Sequence, residues 1–465
     1  MESIPGPVYG PTKREVHMSG SAGSGKSTGL EVVVVGGGSA YTGELLMGLL
    51  HDEHLPVARV RLLDVPAGRE KLLAITAFGQ RLAAQAGRGV VVEGALLPEC
   101  PQPFSGADFV LTQYRVGGLA ARARDEHVPL RHGIVGQETV GPGGFSKALR
   151  TVPVAVAMAQ AIRADAPSAW ILNFTNPAGV ITEAVGQVAG PRVIGLCNGP
   201  YIARRMVAEA LEVDVSRVGL DVIGLNHLSF ARVYMDGSEV TAQMLGASGV
   251  GDPRWADRPE VPANQYGPTL AAALGQLPSP YLRYYWQADR MRAEQERDVA
   301  EGRGTRADYL LRLEPELFDH YRVPDETRLP PGLSERGGAY YSTVAIELIR
   351  ALAQDHPTEL AVNLPNGTVV PELPATAVIE VSALIDGRGP RPLAVGPLPA
   401  AVAGLVQQVK AYERLTIAAA LQGSRALALT ALVNNPLVPS AGVAEALLDD
   451  LLEAHAVYLP RFRGA

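Results

Sequence analysis

Apolar runs alternate with helical patterns through the first 200 residues of the chain. The run Val32–Val35 is followed by Gly36, Gly37 and Gly38 and then by a helical pattern from Tyr41 onward. This order predicts a buried strand, a tight turn and a helix. Further apolar runs predict strands over 60–64, 90–93, 108–113, 170–174 and 193–196, with a helix over 68–86. Strands separated by helices indicate an α/β fold with a parallel sheet and right-handed crossovers.

The second half of the chain is less regular. Its patterns predict helices over 201–212, 343–354, 400–422 and 442–457, a hairpin strand over 230–235 and a proline-rich segment over 389–399. We therefore predict a leader over residues 1–29, a nucleotide-binding domain over 30–200 and a mixed α+β domain over 201–465.

The turn after the first strand has the chemistry of a dinucleotide site. Glycines allow backbone N–H groups to approach a pyrophosphate, and the following helix directs its positive end toward it. The match to G-x-G-x-x-G is incomplete because Tyr41 stands at the third glycine, so a plain strand-to-helix turn is the alternative. Asp64 ends the second strand, where such folds bind the ribose; an ordinary turn residue is its alternative.

A second glycine motif lies in the leader. Residues 20–27, GSAGSGKS, match the phosphate-loop pattern G-x-x-x-x-G-K-[ST]. Polar residues precede the motif and a strand follows it, whereas a working phosphate loop joins a buried strand to a helix. We therefore interpret residues 1–29 as a flexible extension without an ATP site.

Composition excludes several classes of protein. The net charge is −7 and no basic run stands out, which argues against nucleic-acid binding. Only two cysteines are present, which favours a reducing cytoplasm over a disulfide framework. No apolar run reaches the roughly 18 residues of a membrane span, and the N-terminus lacks the apolar region of a signal peptide.

Polar residues collect where the predicted strands end, at the edge where parallel sheets bind ligands. The connection between residues 113 and 150 is predicted to be a long, polar, glycine-rich loop of the kind that is usually functional, and it includes Glu138 and Lys147. Asn176 stands where it can cap the next helix. Cys197 and His227 each follow a predicted strand and are candidates for a shared divalent metal. Their alternative roles are those of an inert buried cysteine and a core histidine.

Eight short blocks along the chain form a distinctive set. They are GGGSAYT at 36–42, RVGG at 115–118, GQET at 136–139, GPGG at 141–144, NPA at 176–178, Cys197-Asn198, NHL at 226–228 and YLRYY at 281–285. Together these blocks resemble glycoside hydrolase family 4, and within it the 6-phospho-β-glucosidases. The similarity runs from about residue 31 to 460, and the GQET and NHL blocks are highly specific.

The resemblance implies a fold similar to lactate and malate dehydrogenases, with NAD and a divalent metal, commonly Mn²⁺, as cofactors. It implies oxidation of the sugar at C3, removal of the C2 proton, elimination of the aglycone and addition of water, in place of two-carboxylate hydrolysis. The expected substrate is a phosphorylated disaccharide or aryl glucoside. Association through the second domain, as a homodimer or homotetramer, is also implied.

The resemblance also assigns residues. Tyr284 is our first choice for the base and Tyr281 the second, with aromatic packing as the alternative for both. Cys197 and His227 are the metal ligands, and Arg115, Asn176 and Arg306 bind the substrate phosphate. The expected cofactor-binding residues are Gly36, Gly37, Gly38, Ser39, Tyr41, Thr42 and Asp64.

Some positions refine this expectation. Family members that act on α-glycosides carry an acidic residue after the metal-binding cysteine, so Asn198 favours the β-glycosides. The block around Arg336 is similar to one that closes the cleft. Gly43 departs from a common proline, and Gly199 departs from a bulkier apolar residue.

Two other functions are compatible with a nucleotide-binding sheet. An NAD-dependent hydroxy-acid dehydrogenase would accumulate NADH as it consumes substrate, whereas the glycosidase returns its hydride. An NAD-sensing binding protein would need no metal-dependent activity.

Overall fold

The computed structural model describes residues 29–245, 268–337 and 340–463. The leader motif at 20–27, and the leader itself apart from Gly29, lie outside the described residues. So do Gly338 and Ala339 of the block around Arg336.

The strands of the described residues belong to one sheet. They are β1 Leu30–Val35, β2 Val57–Asp64, β3 Val91–Leu96, β4 Phe109–Thr112, β5 Trp170–Asn173, β6 Val193–Gly195, β7 Val218–Leu225, β8 Leu228–Met235, β9 Ser238–Glu239, β10 Leu277–Pro278, β11 Thr358–Pro365, β12 Val378–Asp386 and β13 Gly389–Pro392.

The helices connect and cover these strands. They are α1 Thr42–His51, α2 Arg69–Ala86, α3 Gly118–Arg131, α4 Gly141–Asp165, α5 Ala178–Ala189, α6 Gly199–Ala210, α7 Thr241–Gln243, α8 Pro268–Leu274, α9 Arg283–Trp286, α10 Ala288–Ala300, α11 Arg306–Arg322, α12 Tyr341–Gln354, α13 Ala400–Gln422, α14 Arg425–Asn434 and α15 Ala441–Ala454. Short 3₁₀ turns include Pro280–Leu282 and Pro331–Arg336.

The first half of the sheet is parallel. Its strand order β3-β2-β1-β4-β5-β6 is that of a Rossmann fold, and every neighbouring pair in it is parallel. The α/β fold class predicted from the alternating patterns is therefore confirmed.

The second half of the sheet is antiparallel and continues from the first without a break. The order runs from β6 through β11, β12, β7 and β8 to β10. The two halves join where Gly195 of β6 pairs with Asn363 of β11. Cys197 lies two residues beyond this junction.

Helices cover both faces of the parallel half, which explains why its central strands β1, β4, β5 and β6 are mostly apolar. Alternate residues of β1 enter different cores: Val33 and Val35 pack with α4, α5 and α13, whereas Val32 and Val34 pack with α1, α2, α11 and α12. A third core lies between α6 and the β7–β8 hairpin. Helices from the second half of the chain therefore cover strands from the first.

Two sequence expectations need correction. The connection between residues 113 and 150 is mostly helical, because α3 and the start of α4 occupy it and only residues 132–140 form the intervening loop. The patterns also missed β11 and β12, whereas the strand expected before His227 is present as β7. The boundary predicted at residue 200 stays a prediction. Among the described residues, no helix is both long and apolar enough to cross a membrane.

Candidate active site

The turn after β1 is shaped by close backbone contacts. The N–H groups of Gly36 and Gly37 both donate to the carbonyl of Leu63, at 2.8 and 2.9 Å. Gly36 has a φ of +85°, and a Cβ there would lie 3.0 Å from the Cα of Tyr114. Glycine is therefore required at this position on two grounds, conformation and space.

Asp64 lies beside the same turn. Its carboxylate accepts the N–H of Gly38 at 2.8 Å and that of Val65 at 2.8 Å. Burial raises the pKa of Asp64, while these two N–H groups oppose the shift. The carboxylate is thus fixed at the end of β2, where a ribose hydroxyl could donate to it.

The remaining predicted cofactor residues differ in accessibility. Thr42 is buried, and its hydroxyl accepts a hydrogen bond from Gln113 Nε2 at 2.7 Å, so it holds the turn against β4. Ser39 and Tyr41 line the cleft. The guanidinium of Arg336 lies 4.4 Å from the centre of the Tyr41 ring.

Cys197 and His227 meet at the centre of the cleft. His227 occupies the two-residue turn between β7 and β8 with a φ of +65°, and its Nε2 lies 3.7 Å from Cys197 Sγ. Two ligands of one metal ion can have this separation. Within the described part of the chain, no cluster of three or more His, Cys, Asp and Glu side chains is arranged for a metal. A metal held by this pair would therefore have positions open for substrate oxygens.

The protonation of this pair depends on burial. Burial lowers the pKa of His227 to about 3, which keeps the imidazole neutral and able to act as a ligand. Burial, together with the charge of Glu380, raises the pKa of the Cys197 thiol to about 12. The thiol therefore needs a cation beside it to become a thiolate, so metal binding would release a proton.

Glu380 supports the histidine turn from behind. It lies in β12 and is 2% exposed. Its carboxylate accepts the amide N–H of Asn226 at 2.9 Å and the hydroxyl of Ser229 at 2.7 Å. The two residues that flank His227 and Leu228 are thereby fixed. Glu380 was not predicted from the sequence, although a carboxylate in the middle of an apolar strand was the available signal.

Tyr281 lies directly on His227. Their rings stack with centres 3.8 Å apart and planes 6° apart. The Tyr284 ring is 6.0 Å from that of Tyr281, and its hydroxyl accepts a hydrogen bond from Arg283 Nη2 at 3.0 Å. Burial, and then the neighbouring Cys197, raises the pKa of Tyr281.

A cluster of charged side chains surrounds Glu138 of the GQET block. Its carboxylate pairs with Arg115, with Arg122 Nη1 at 2.9 Å and with Lys147 Nζ at 2.9 Å. Burial alone would raise the pKa of Glu138, but these three cations hold it well below the usual range. Burial and Arg115 lower the pKa of Lys147 to about 7, against the opposing effect of Glu138. The pairing of Arg122 with Glu138 was not predicted from the sequence.

The predicted phosphate residues line this same cleft: Arg115, Asn176 and Arg306. Arg306 is the first residue of α11, and its guanidinium donates to the carbonyl of Glu335. The prediction that Asn176 caps a helix is wrong. Helix α5 begins one residue later than expected, so Pro177 takes the capping position and no side chain caps the helix.

The two departures from the family pattern have different surroundings. A Cβ on Gly43 would come 2.4 Å from the hydroxyl of Tyr321, which donates to the carbonyl of Ala40 at 2.7 Å. The N–H of Gly199 lies 3.4 Å from Cys197 Sγ. A larger residue at position 43 would therefore meet α11.

Two family models match nearly the whole described chain. The model for family 4 glycosyl hydrolases matches residues 31–213, and the model for the C-terminal domain of that family matches residues 222–438.

Known proteins are similar over the same length. A probable 6-phospho-β-glucosidase of Bacillus subtilis (strain 168) is 43% identical over 439 residues, which are 93% of this chain and 98% of that protein. The 6-phospho-β-glucosidase of Thermotoga maritima, solved with manganese, NAD⁺ and glucose-6-phosphate, is 34% identical with a TM-score of 0.82. That match covers 92% of this chain and 99% of the other.

A more distant structure is similar in fold alone. Malate dehydrogenase of Plasmodium falciparum is 10% identical with a TM-score of 0.50, and the match covers 84% of this chain and 98% of the other. The predicted likeness to the dehydrogenase fold is therefore confirmed.

Proposed function

The chain belongs to family 4 of the glycosyl hydrolases, and we propose that it hydrolyses 6-phospho-β-glucosides with NAD and a divalent metal, of which Mn²⁺ is the first choice. One observation carries this proposal: the Cys197–His227 pair, with Tyr281 stacked on it, shares a cleft with the glycine turn. A nucleotide, a metal and a base can therefore meet around one sugar.

The residues of the cleft fit both groups. Any Cβ on Gly36 or Gly38 would fill the cradle beside Asp64 and Tyr114, and a thiolate with a neutral imidazole is a suitable donor set for a divalent transition metal. When bound, NAD accepts and later returns the C3 hydride, and the metal draws electron density from the sugar oxygens. Cys197 and His227 would hold the metal, and Asp64 with residues 36–41 would hold NAD.

Tyr281 is the residue that we assign as the base. Once C3 is oxidised, the C2 proton is acidic, and the Tyr281 phenolate removes it while the bond from C1 to the aglycone breaks. Water then adds at C1 and the proton returns to C2. Contact with His227 supports Tyr281 over Tyr284, because a phenol beside the metal pair gains most from a nearby cation.

The substrate phosphate is assigned to Arg115, Asn176 and Arg306. Guanidinium groups match the geometry of a phosphate, and both arginines line the cleft that Tyr281 faces. Asn198, which follows the metal-binding cysteine, supports the β-anomer because the members that act on α-glycosides carry an acidic residue there.

Release of p-nitrophenol from its β-glucoside 6-phosphate tests this function. The assay is run under reducing conditions with NAD and Mn²⁺ each present or omitted, and with the α-anomer and the unphosphorylated glucoside as controls. We expect release from the phosphorylated β-anomer alone, dependent on both cofactors and without net NADH. Steady NADH formation from a hydroxylated substrate, without aglycone release, would instead identify a dehydrogenase.

Other aspects are proposed on the resemblance alone. We propose a cytoplasmic homodimer or homotetramer that associates through residues 201–465. Light scattering of the purified protein measures its mass directly, and a monomer at micromolar concentration would contradict the assignment.

A further inference from the structure

Helix α10 has an unusual attachment to the rest of the protein. Its sequence, ADRMRAEQERDVA, is mostly polar, and although every residue of it is described, none is buried. Apolar packing normally supplies most of a helix's stability in a protein. The position of α10 therefore depends on polar contacts to an unusual extent.

The segment before α10 carries the proposed base. Tyr281 lies in the 3₁₀ turn Pro280–Leu282, which leads into α9 and, through Gln287, into α10. The N–H groups of Gln287 and Met291 continue the hydrogen bonding between the two helices. A displacement of α10 would consequently be transmitted toward Tyr281.

Gln295 of α10 binds the backbone of the GQET loop through both ends of its amide. Gln295 Oε1 accepts the N–H of Gly136 at 2.9 Å, and Gln295 Nε2 donates to the carbonyl of Gly136 at 2.8 Å. These two hydrogen bonds resemble those between paired residues of neighbouring β-strands. Arg292, one turn earlier, reaches the carbonyl of Gly133 at 3.4 Å.

Gly136 is itself held closely against α3. A Cβ there would lie 2.1 Å from the carbonyl oxygen of Glu126, so the loop backbone touches the helix directly. Two residues further on, Glu138 is paired with Arg122 and Lys147. Gln295 thus contacts a rigid part of the cleft wall.

We propose that Gln295 is a positioning residue for C2 proton removal: its paired hydrogen bonds to Gly136 fix α9 and α10 so that Tyr281 stays stacked on His227. This inference rests on the proposed function. Hydrogen bonds of this kind contribute little to overall stability, but small displacements of a base strongly affect proton transfer.

The test compares Gln295→Leu with wild type, and with Arg297→Gln as a control at an exposed position of the same helix. Each protein hydrolyses p-nitrophenyl β-glucoside 6-phosphate that is unlabelled, deuterated at C2 or deuterated at C3. For Gln295→Leu we expect kcat to fall about tenfold and KM to stay within about twofold. The C2 isotope effect on kcat should rise and the C3 effect should fall, because C2 proton removal becomes the slower step. Arg297→Gln should match wild type.

Each other outcome overturns the inference. Unchanged kcat, or a fall with unchanged C2 and C3 isotope effects, would show that Gln295 does not position the base. If Gln295→Leu does not fold, Gln295→Glu, which keeps the acceptor for Gly136 N–H, is tested in the same way; failure of both to fold would make Gln295 a stability residue. An inactive wild-type protein would instead refute the proposed function, so the two failures are distinguishable.

Discussion

The parallel half of the sheet and the antiparallel half shape their parts of the cleft by different means. On the parallel side, the turn after β1 is fixed mainly by backbone groups, because the N–H groups of Gly36 and Gly37 both donate to the Leu63 carbonyl. The carboxylate of Asp64, which accepts the N–H of Gly38, is the side-chain contribution. On the antiparallel side, His227 is oriented by side chains from distant segments, through the Asn226–Glu380 bond and the stack with Tyr281.

The part of the cleft proposed to bind NAD is therefore shaped mainly by backbone groups, whereas the part proposed to hold the metal and the base is shaped by side chains. A site built by backbone groups tolerates changes to side chains but not added volume, whereas a site built by side chains fails when a single functional group is lost. We therefore expect deletions of functional groups to have their largest effects around His227, and additions of atoms to matter most around α1.

The largest expected effect comes from the proposed base. Tyr281→Phe keeps the ring that stacks on His227 but removes the phenol oxygen, so kcat should fall by about 10²–10⁴-fold. Tyr284→Phe changes a ring whose centre lies 6.0 Å from that of Tyr281, and its kcat should fall by less than about tenfold. Initial rates of p-nitrophenol release measure both, and a larger loss in Tyr284→Phe would reverse the assignment.

The next largest effect is a loss of stability at Glu138. This residue belongs to the first half of the chain, but it is held by side chains. Glu138→Gln leaves Arg115, Arg122 and Lys147 without their shared carboxylate and should lower the free energy of unfolding by about 3 kcal/mol at pH 7. Because the folded-state pKa of Glu138 lies well below 4.5, its contribution is present above that pH and is lost as pH falls toward the folded pKa.

Denaturant unfolding at pH 7 and at pH 4 checks this sign. The difference in stability between wild type and Glu138→Gln should narrow at the lower pH. A difference that widens there would show that the carboxylate is not stabilised in its charged form.

A smaller effect is expected at Glu380. Glu380→Gln retains one acceptor for Asn226 or Ser229 but not both, so the turn that carries His227 should loosen. The Mn²⁺ concentration for half-maximal activity should rise about 10–100-fold, with maximal activity partly recovered at high Mn²⁺. Cys197→Ser, which removes a proposed ligand, should not recover in the same titration. Identical Mn²⁺ titrations for Glu380→Gln and wild type would show that Glu380 has no influence on metal binding.

The smallest effect tests the parallel side by adding atoms. Gly43→Ala places a methyl group 2.4 Å from the Tyr321 hydroxyl and should destabilise the fold by about 1–2 kcal/mol. Gly404→Ala in α13 is the matched control, because nothing lies within 4 Å of its added Cβ, and it should be neutral or slightly stabilising. Thermal unfolding of both variants decides the comparison.

The contrast between the backbone-built and the side-chain-built parts of the cleft also explains which features the sequence could predict. The apolar runs and the glycine turn are local signals, so the strands of the parallel half, the turn at Gly36 and the end of β2 at Asp64 were predicted within a few residues. Cys197 and His227 were metal candidates because each follows a predicted strand, and the tyrosine motif was found because the blocks resemble a family. The roles of all these residues stay predictions. The sequence favoured Tyr284 as the base, and our preference for Tyr281 rests on its stack with His227, which no spacing encodes.

Long-range side-chain contacts account for what the sequence did not predict. Glu380 follows Asn226 by 154 residues and Gln295 follows Gly136 by 159, so no window along the chain contains both partners. Strands β11 and β12 were also missed, although the Val and Ile residues of β12 are typical of a buried strand.

The pairing of β6 with β11 limits how the chain can be shortened for expression. A fragment that ends near residue 200 would lack β11 and leave the apolar strand Val193–Gly195 at an open edge. Unpaired edges recruit strands from other molecules. We therefore expect such a fragment to aggregate during expression, even though it contains all the strands of a Rossmann fold.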